Sequence, residues 1–599
     1  MSERATAPEA TDHRPRRFEI GAESFLLDGD PMRVIAGALH YFRVHPGQWS
    51  DRIAKAKMLG LNAIETYVPW NAHEPQPGQV SFDGQLDLPR FLDLVAEAGL
   101  LAIVRPGPYI CAEWDGGGLP GWLFRDPAVG VRTSEEVYLR AVRTWFETLL
   151  PVVAQRQVTR GGPVILVQVE NEYGAYGDDE VYLKSIVSFM RDAGIEVPLV
   201  TCDQADPGMF ERGGLGDVHK TATFGSRSPE RLAILREAQP DGPLMCMEYW
   251  NGWFDHWGAP HHVTDAAGQA ADLDDLLAAG ASVNLYMVHG GTNFGLTNGA
   301  NDKGIYQPTV TSYDYDAPLS EDGWPTAKYW AFREAIARHA VVPDETPGTR
   351  PVAPTPALRL ERSASLASVV EHLGLPVETA HVPTTDELGH YQGFTLYAAD
   401  LPARGAPVLL SVAEVRDRAI VAVDRVPVGT LSRSDKAFCI PLPAGGPAEL
   451  TLLVEDQGRV NYGVRIGEAK GVLGPVLLDD EELRGWRSRP LRLEPDTVLP
   501  HATPVTSTSV TGPVFAVASF ELEAAADLHL DTGSWGKGVA WVNGFCLGRY
   551  WSRGPQRTLY VPGPATLPGA NTLVLFELHG GRAEDLSFRP APDLGSTEV

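Results

Sequence analysis

Residues 163–174 read PVILVQVENEYG. Val164, Ile165, Leu166 and Val167 form an unbroken apolar run, the composition of a strand buried on both faces of a parallel sheet. With no turn residue between, the stretch becomes Gln168, Glu170, Asn171, Glu172 and Tyr173. Burying carboxylates is costly unless they are paired or used. A central strand that ends in two of them therefore points to chemistry at its C-terminal end.

Outward from this strand, residues 30–340 repeat the same alternation. Apolar runs occur at RVIAGAL, LNAIETYV, LLAIVRP, PVILVQVE, VPLVTC, TATFG, PLMCME and SVNLYMV. Amphipathic helical stretches lie between many of them, such as DLPRFLDLVAEAG and DEVYLKSIVSFMRDAG, each closing on a glycine suited to the left-handed position after a helix. Eight strand-helix units predict a (β/α)₈ TIM barrel, whose active site lies at the C-terminal strand ends. The alternative, a doubly wound open sheet, lacks its Gly-rich phosphate loop after the first strand.

After His339 the character changes. VVPDETPGTRPVAPTP is proline-rich and reads as a semi-rigid linker. Beyond it, strand-like runs with Gly and Pro turns predict two all-β jelly-roll or β-sandwich domains. The expected division is a disordered tail over 1–17, the barrel over 18–340 and a Pro-rich connecting segment over 341–390. A first β-sandwich over 391–500 and a second over 501–599 complete it.

Composition narrows the function. A 44% hydrophobic and 21% charged content is that of a folded globular chain rather than a disordered one. The net charge of -27 repels phosphate backbones and anionic lipid, so neither nucleic acid nor a membrane is an expected partner. No run approaches the ~18 apolar residues of a membrane span. Five scattered cysteines (Cys111, Cys202, Cys246, Cys439, Cys546) form neither a disulfide framework nor a zinc pattern. The Arg16-Arg17 pair has the form of a twin-arginine signal, but no apolar segment follows it. A cytoplasmic location is the expectation.

The strand ends share one composition. Tyr67-Val68-Pro69-Trp70-Asn71 follows strand 2, RPGPYICAEWDGGGLPGW strand 3, Glu170 to Tyr173 strand 4, and Glu248-Tyr249-Trp250 strand 7. HGGTNFG and TSYDYDAP follow strand 8. Acids, amides and aromatics on one rim are what a sugar site requires. Two carboxylates at separate strand ends are the minimum for glycoside hydrolysis, one as proton donor, the other as nucleophile or base. No HExxH, GxSxG or P-loop is present to suggest a protease, esterase or kinase.

Through TYVPWNAHEP, RPGPYICAEWDGGGLPGWL, QVENEYG, MEYWNGWFDHWG, HGGTNFG and TSYDYDAPLSEDG, the chain resembles the β-galactosidases of glycoside hydrolase family 35. GRVNYG and WVNGFCLGRYW resemble the accessory β-domains of that family, the last of galactose-binding type. The resemblance implies a retaining exo-β-galactosidase that removes terminal galactose from oligosaccharides through a covalent intermediate. It implies Glu172 as acid/base and Glu248 as nucleophile, with carboxyl groups ~5–5.5 Å apart. It also implies sugar contacts from Tyr67, Cys111, Ala112, Glu113, Asn171, Trp253 and Tyr315. No metal or organic cofactor is implied, and the partner is a small galactoside. The two β-domains leave self-association into a homo-oligomer open.

Two alternatives stand beside this reading: another exo-β-glycosidase such as a glucosaminidase, and a carbohydrate-binding protein with an inert barrel. Within the opening stretch, strict alternation puts Glu170 and Glu172 on one side and Asn171 on the other. A site that uses both Asn171 and Glu172 requires a bend or bulge near Glu170. Glu170 is then expected to be structural, paired with Arg105. The family resembled often has tyrosine where this chain has Trp250, which predicts a missing hydroxyl contact to Glu248.

Overall fold

The computed structural model describes residues 14–126 and 128–598. Most of the tail expected over 1–17 thus lies outside the described residues. Arg16, within it, bonds Asp28 at 2.8 Å.

Eight parallel strands close into a barrel in sequence order. They are β1 (Ile35–Leu39), β2 (Ala63–Tyr67), β3 (Leu101–Arg105), β4 (Val164–Gln168), β5 (Leu199–Gln204), β6 (His219–Phe224), β7 (Met245–Trp250) and β8 (Ser282–His289). Helices follow the strands on the outside. That following β3, Glu136–Ala154, shows why: Tyr138, Val142, Trp145, Leu149 and Val153 recur every three to four residues and are fully buried. Each stabilises the packing by roughly 1.5–3 kcal/mol. Asp87, Asp179, Asp206 and Asp265 cap helix N-termini, their carboxylates accepting from main-chain N–H groups. Gly99 and Gly194 close two of these units at φ +73° and +86°, a conformation that suits glycine.

After β8, a hairpin of β9 (Ala300–Asp302) and β10 (Tyr306–Pro308) stands on the active-site rim. Helix Ala327–Ala337 completes the barrel, and from Arg359 on the chain is all-β apart from short helical turns. One unit packs a six-stranded sheet against a four-stranded one within residues 377–491, around Tyr397, Leu410, Leu452 and Trp486. The other packs a six-stranded sheet against a three-stranded one around Phe520, Leu530, Trp535 and Phe588. Arg359–Ser365, in the stretch read as connecting segment, pairs along Val514–Ser519 in this last unit. The two six-stranded sheets bury their outer faces against each other through Phe394, Ile420, Phe515 and Phe576.

Candidate active site

The end of β4 turns as the sequence demands. The strand stops at Gln168, and Glu170 and Glu172 then adopt φ of +57° and +45°. Left-handed backbone costs a non-glycine residue ~1–2 kcal/mol. Its effect here is to break the alternation, so that Asn171 and Glu172 both reach one cavity of about 330 Å³. Cys111, Ala112 and Glu113, after β3, are likewise left-handed and line the same cavity. Such strain gathers where geometry serves function.

From β7, Glu248 enters the cavity at a point where the pairing register with both neighbours slips by a residue. Its Oε1 takes the Tyr67 hydroxyl at 2.6 Å and Arg105 Nη2 at 2.5 Å. Its Oε2 takes the Trp250 indole N–H at 3.0 Å. All these groups except Trp250 are buried, and the guanidinium also lies 3.9 Å over the Tyr67 ring. Three donors, one of them a guanidinium, hold this carboxylate in one orientation.

Glu172 has the opposite surroundings. It accepts from Thr223 Oγ1 at 3.2 Å and takes a further side-chain hydrogen bond from Gln204, and among the described residues no cation bonds it. Burial first, and the Glu248 charge second, push its pKa up to about 7. One of the two carboxyl groups that share the cavity can thus carry a proton near neutral pH.

Asn171 is oriented by its oxygen. Oδ1 accepts from Arg105 Nη2 at 2.6 Å and Gln168 Nε2 at 3.1 Å, which leaves the amide NH₂ to face the cavity. Glu113 accepts from the Tyr313 hydroxyl, and burial raises its pKa to about 7. The loop that carries Tyr313 and Tyr315 comes close because Gly290 and Gly252 have no side chain: an added Cβ would lie 1.6 Å and 1.7 Å from their carbonyl oxygens.

Cys111, Ala112, Glu113, Asn171, Glu172, Glu248, Trp253 and Tyr315 all line the cavity. Tyr67 stands behind it and reaches it through Glu248. Two expectations are corrected. Glu170 pairs with Arg132, not Arg105: Arg132 Nε and Nη2 each lie 2.8 Å from its two oxygens, and Tyr182 adds a hydroxyl at 2.9 Å. The reason is the left-handed turn, which swings Glu170 away from Arg105 and releases that arginine for Glu248. The contact expected to be missing at Trp250 is made by its indole N–H.

Sequence reasoning also missed Tyr313, Tyr286, Gln204 and Tyr462. Tyr462 belongs to the first β-unit, lines the cavity and accepts from Gln204 Nε2 at 3.2 Å. Only the GRVNYG motif hinted at it. Among the described residues, no cluster of three His, Cys, Asp or Glu could hold a metal ion, and no helix is long and apolar enough to cross a membrane.

Comparison with known proteins agrees with this layout. Residues 24–339 match the model of glycosyl hydrolases family 35. Residues 383–492 match that of a beta-galactosidase first all-beta domain, and 513–571 that of a beta-galactosidase galactose-binding domain. The beta-galactosidase of Felis catus is 43% identical over 606 residues, covering 96% of this chain and 90% of that one. That of Homo sapiens is 42% identical, covering 94% and 87%. That of Xanthomonas manihotis is 40% identical, covering 93% of each.

Proposed function

Since the chain belongs to glycosyl hydrolases family 35, we infer that it is a β-galactosidase that removes terminal galactose by a double displacement with retention. The observation that carries this is the single cavity in which Glu172, its pKa raised to about 7, meets Glu248 anchored by Arg105 and Tyr67.

Glu172 gives its proton to the bridging oxygen as Glu248 attacks the anomeric carbon, forming a glycosyl-enzyme. The Asn171 NH₂ is the group aimed at the sugar's 2-hydroxyl, a bond that strengthens as the oxocarbenium-like transition state forms. Esterification removes the charge of Glu248, and with it one of the two influences that keep Glu172 protonated. Glu172 then accepts a proton from the incoming water as general base.

The test is hydrolysis of a panel of p-nitrophenyl β-glycosides, with the first-formed sugar followed by NMR. Cleavage of the β-galactoside ahead of the β-glucoside and β-glucosaminide, with β-galactose released first, is expected. Initial release of the α-anomer rejects retention. Five unpaired cysteines support a cytoplasmic location, where disulfides are rare.

A further inference from the structure

β2 carries an acid that the reaction above does not use. Glu65 points into the barrel like Tyr67, two residues along the same strand, and both are buried. Its neighbour is Arg105, at the end of β3, which also holds Glu248. Among the described residues, Glu65 and Glu248 are the two carboxylates at ion-pair distance from this guanidinium. We propose that Glu65 is a positioning residue for the covalent intermediate: it takes over Arg105 when Glu248 becomes bonded to the sugar. The inference rests on the double-displacement reading above.

Geometry is the first argument. Arg105 Nε gives to Gln168 Oε1 at 2.8 Å, and Nη2 to Asn171 Oδ1 at 2.6 Å and Glu248 Oε1 at 2.5 Å. The third nitrogen, Nη1, lies 3.9 Å from Glu65 Oε1, and neither atom has a hydrogen-bond partner among the described residues. The other Glu65 oxygen accepts from Asn284 Nδ2 at 3.3 Å. The same amide donates to Met247 O at 2.9 Å, so Glu65 is tied to the main chain just before the nucleophile. A pair that served only to hold the resting fold would be closed. This one is open by about 1 Å relative to a charge-assisted hydrogen bond.

Charge supplies the second argument. A guanidinium stays protonated, and burying one without a counter-ion is costly. At rest, Glu248 neutralises Arg105. Bonding of a Glu248 oxygen to the anomeric carbon takes that charge away, while the leaving oxygen takes the Glu172 proton. Among the described residues, Glu65 is then the one carboxylate left beside Arg105. Closing the gap gives the arginine both a bond and a counter-ion.

Protonation follows the same logic. The titratable groups facing Glu65 are Arg105 from β3, Glu248 from β7 and the Tyr67 hydroxyl on its own strand. Burial pushes its carboxyl up to about 7, Arg105 pulls it down, and the Glu248 charge pushes it up. Losing the Glu248 charge therefore favours ionised Glu65. Below about pH 7 its proton passes to solvent as the ester forms and returns as the ester is hydrolysed. Arg105 is balanced by Glu248 at rest and by Glu65 in the intermediate.

The test traps the intermediate with dinitrophenyl 2-deoxy-2-fluoro-β-galactoside, whose fluorine slows both steps and whose leaving group needs no proton. In the crystal structure of trapped wild-type protein, Glu65 Oε1 and Arg105 Nη1 are expected at hydrogen-bond distance, down from 3.9 Å. Glu65→Gln keeps the shape of the side chain and removes its charge. Trapping of this variant is expected to slow by about tenfold, and the trapped enzyme to regain activity about tenfold faster, because the intermediate alone loses its counter-ion. A residue that merely held Arg105 in place would slow both steps. Trapped wild-type protein with the gap still open, or a variant whose reactivation is not faster, overturns this inference alone. Should the variant not fold, the crystal structure decides. Wild-type protein that is never labelled on Glu248 overturns it together with the double-displacement reading.

Discussion

The Trp250 indole N–H donates to Glu248 Oε2 at 3.0 Å, while Tyr67 and Arg105 both act on Oε1. The two oxygens of one carboxylate are thus unequal. Oε1 is occupied by its two donors. Oε2 keeps a lone pair free, and under the proposed double displacement it is the oxygen expected to attack carbon.

When Oε2 becomes an ester oxygen it loses its charge, and the indole bond weakens. That bond is regained as the carboxylate departs in the second step. Trp250→Phe removes the donor and keeps an aromatic wall. A hydrogen bond to a charged group contributes ~1.5–3 kcal/mol, so deglycosylation is expected to slow by about tenfold or somewhat more. Stopped-flow measurement with a dinitrophenyl galactoside should show a larger accumulation of glycosyl-enzyme than in wild type. A variant with no added burst removes the assignment of Oε2.

Removing the proton donor separates the two carboxylates. Glu172→Gln is expected to lower kcat by about 10²–10⁴ on substrates whose leaving group needs a proton. Dinitrophenyl galactoside, whose leaving group needs none, should still form the glycosyl-enzyme. Azide added to Glu172→Gly should yield β-galactosyl azide by attack on the intermediate. With Glu248→Gly, azide takes the place of the carboxylate and should yield the α-azide. The reverse pairing of products exchanges the roles of the two residues.

A pKa of about 7 for Glu172 sets two pH profiles. As general acid it must be protonated, so kcat/KM should decline as pH rises through about 7. Stability moves in the same direction. The folded carboxyl holds its proton above the pH at which the unfolded one, near 4.5, loses it. Folding stability from this group therefore falls as pH rises between those two values and levels off above the higher. Glu172→Gln removes the penalty, so it should raise Tm at pH 8 and change it far less at pH 4. An equal gain at both would mean that the stabilisation has nothing to do with ionisation.

The barrel was legible because its strands are continuous apolar runs and its helices end at glycines such as Gly99 and Gly194. That Glu172 and Glu248 share one cavity was legible because both stand where apolar strand runs reach the same end of the barrel. The partners were harder to read. A bend near Glu170 was expected, but its form was not: two left-handed residues within three positions turn Glu170 to Arg132 rather than to the Arg105 of the adjoining strand. Tyr315 was foreseen and Tyr313 was not, since their order along a loop carries no sign of which reaches Glu113. Gln204 and Tyr462 meet across 258 residues, a contact no local pattern encodes.

The Arg132–Glu170 pair should be a folding determinant rather than a catalytic one. Both groups are buried, and Arg132 Nη2 also holds the Asn171 carbonyl at 2.7 Å. Removing one member of a buried ion pair costs ~3–5 kcal/mol, because the other is left charged and unpaired. Arg132→Ala should lower the denaturation midpoint strongly. Glu170→Gln, which retains hydrogen-bonding groups, should lower it less. The activity of folded Glu170→Gln should fall far less than that of Glu172→Gln; equal losses would give Glu170 a direct part in the chemistry.

The accessory β-units are expected to be inseparable from the barrel. The buried Tyr109 hydroxyl donates to Asn461 O at 2.5 Å, and buried Asp115 accepts from Arg459 N at 2.6 Å. Asn298 gives its amide to Gln457 O at 2.9 Å. These three bonds fasten the loops after β3 and β8, which carry Glu113 and Tyr313, onto one short segment of the first β-unit. Cutting the chain at residue 340 would strand each of these buried groups, at ~1–3 kcal/mol apiece, and expose the apolar surface around them. That sum approaches the whole ~5–15 kcal/mol by which a domain is stable. A protein ending at residue 340 should therefore lack both a cooperative thermal transition and galactosidase turnover. A truncated barrel with wild-type kcat would show instead that the loops find their conformation unaided and that the β-units serve only the binding of larger substrates.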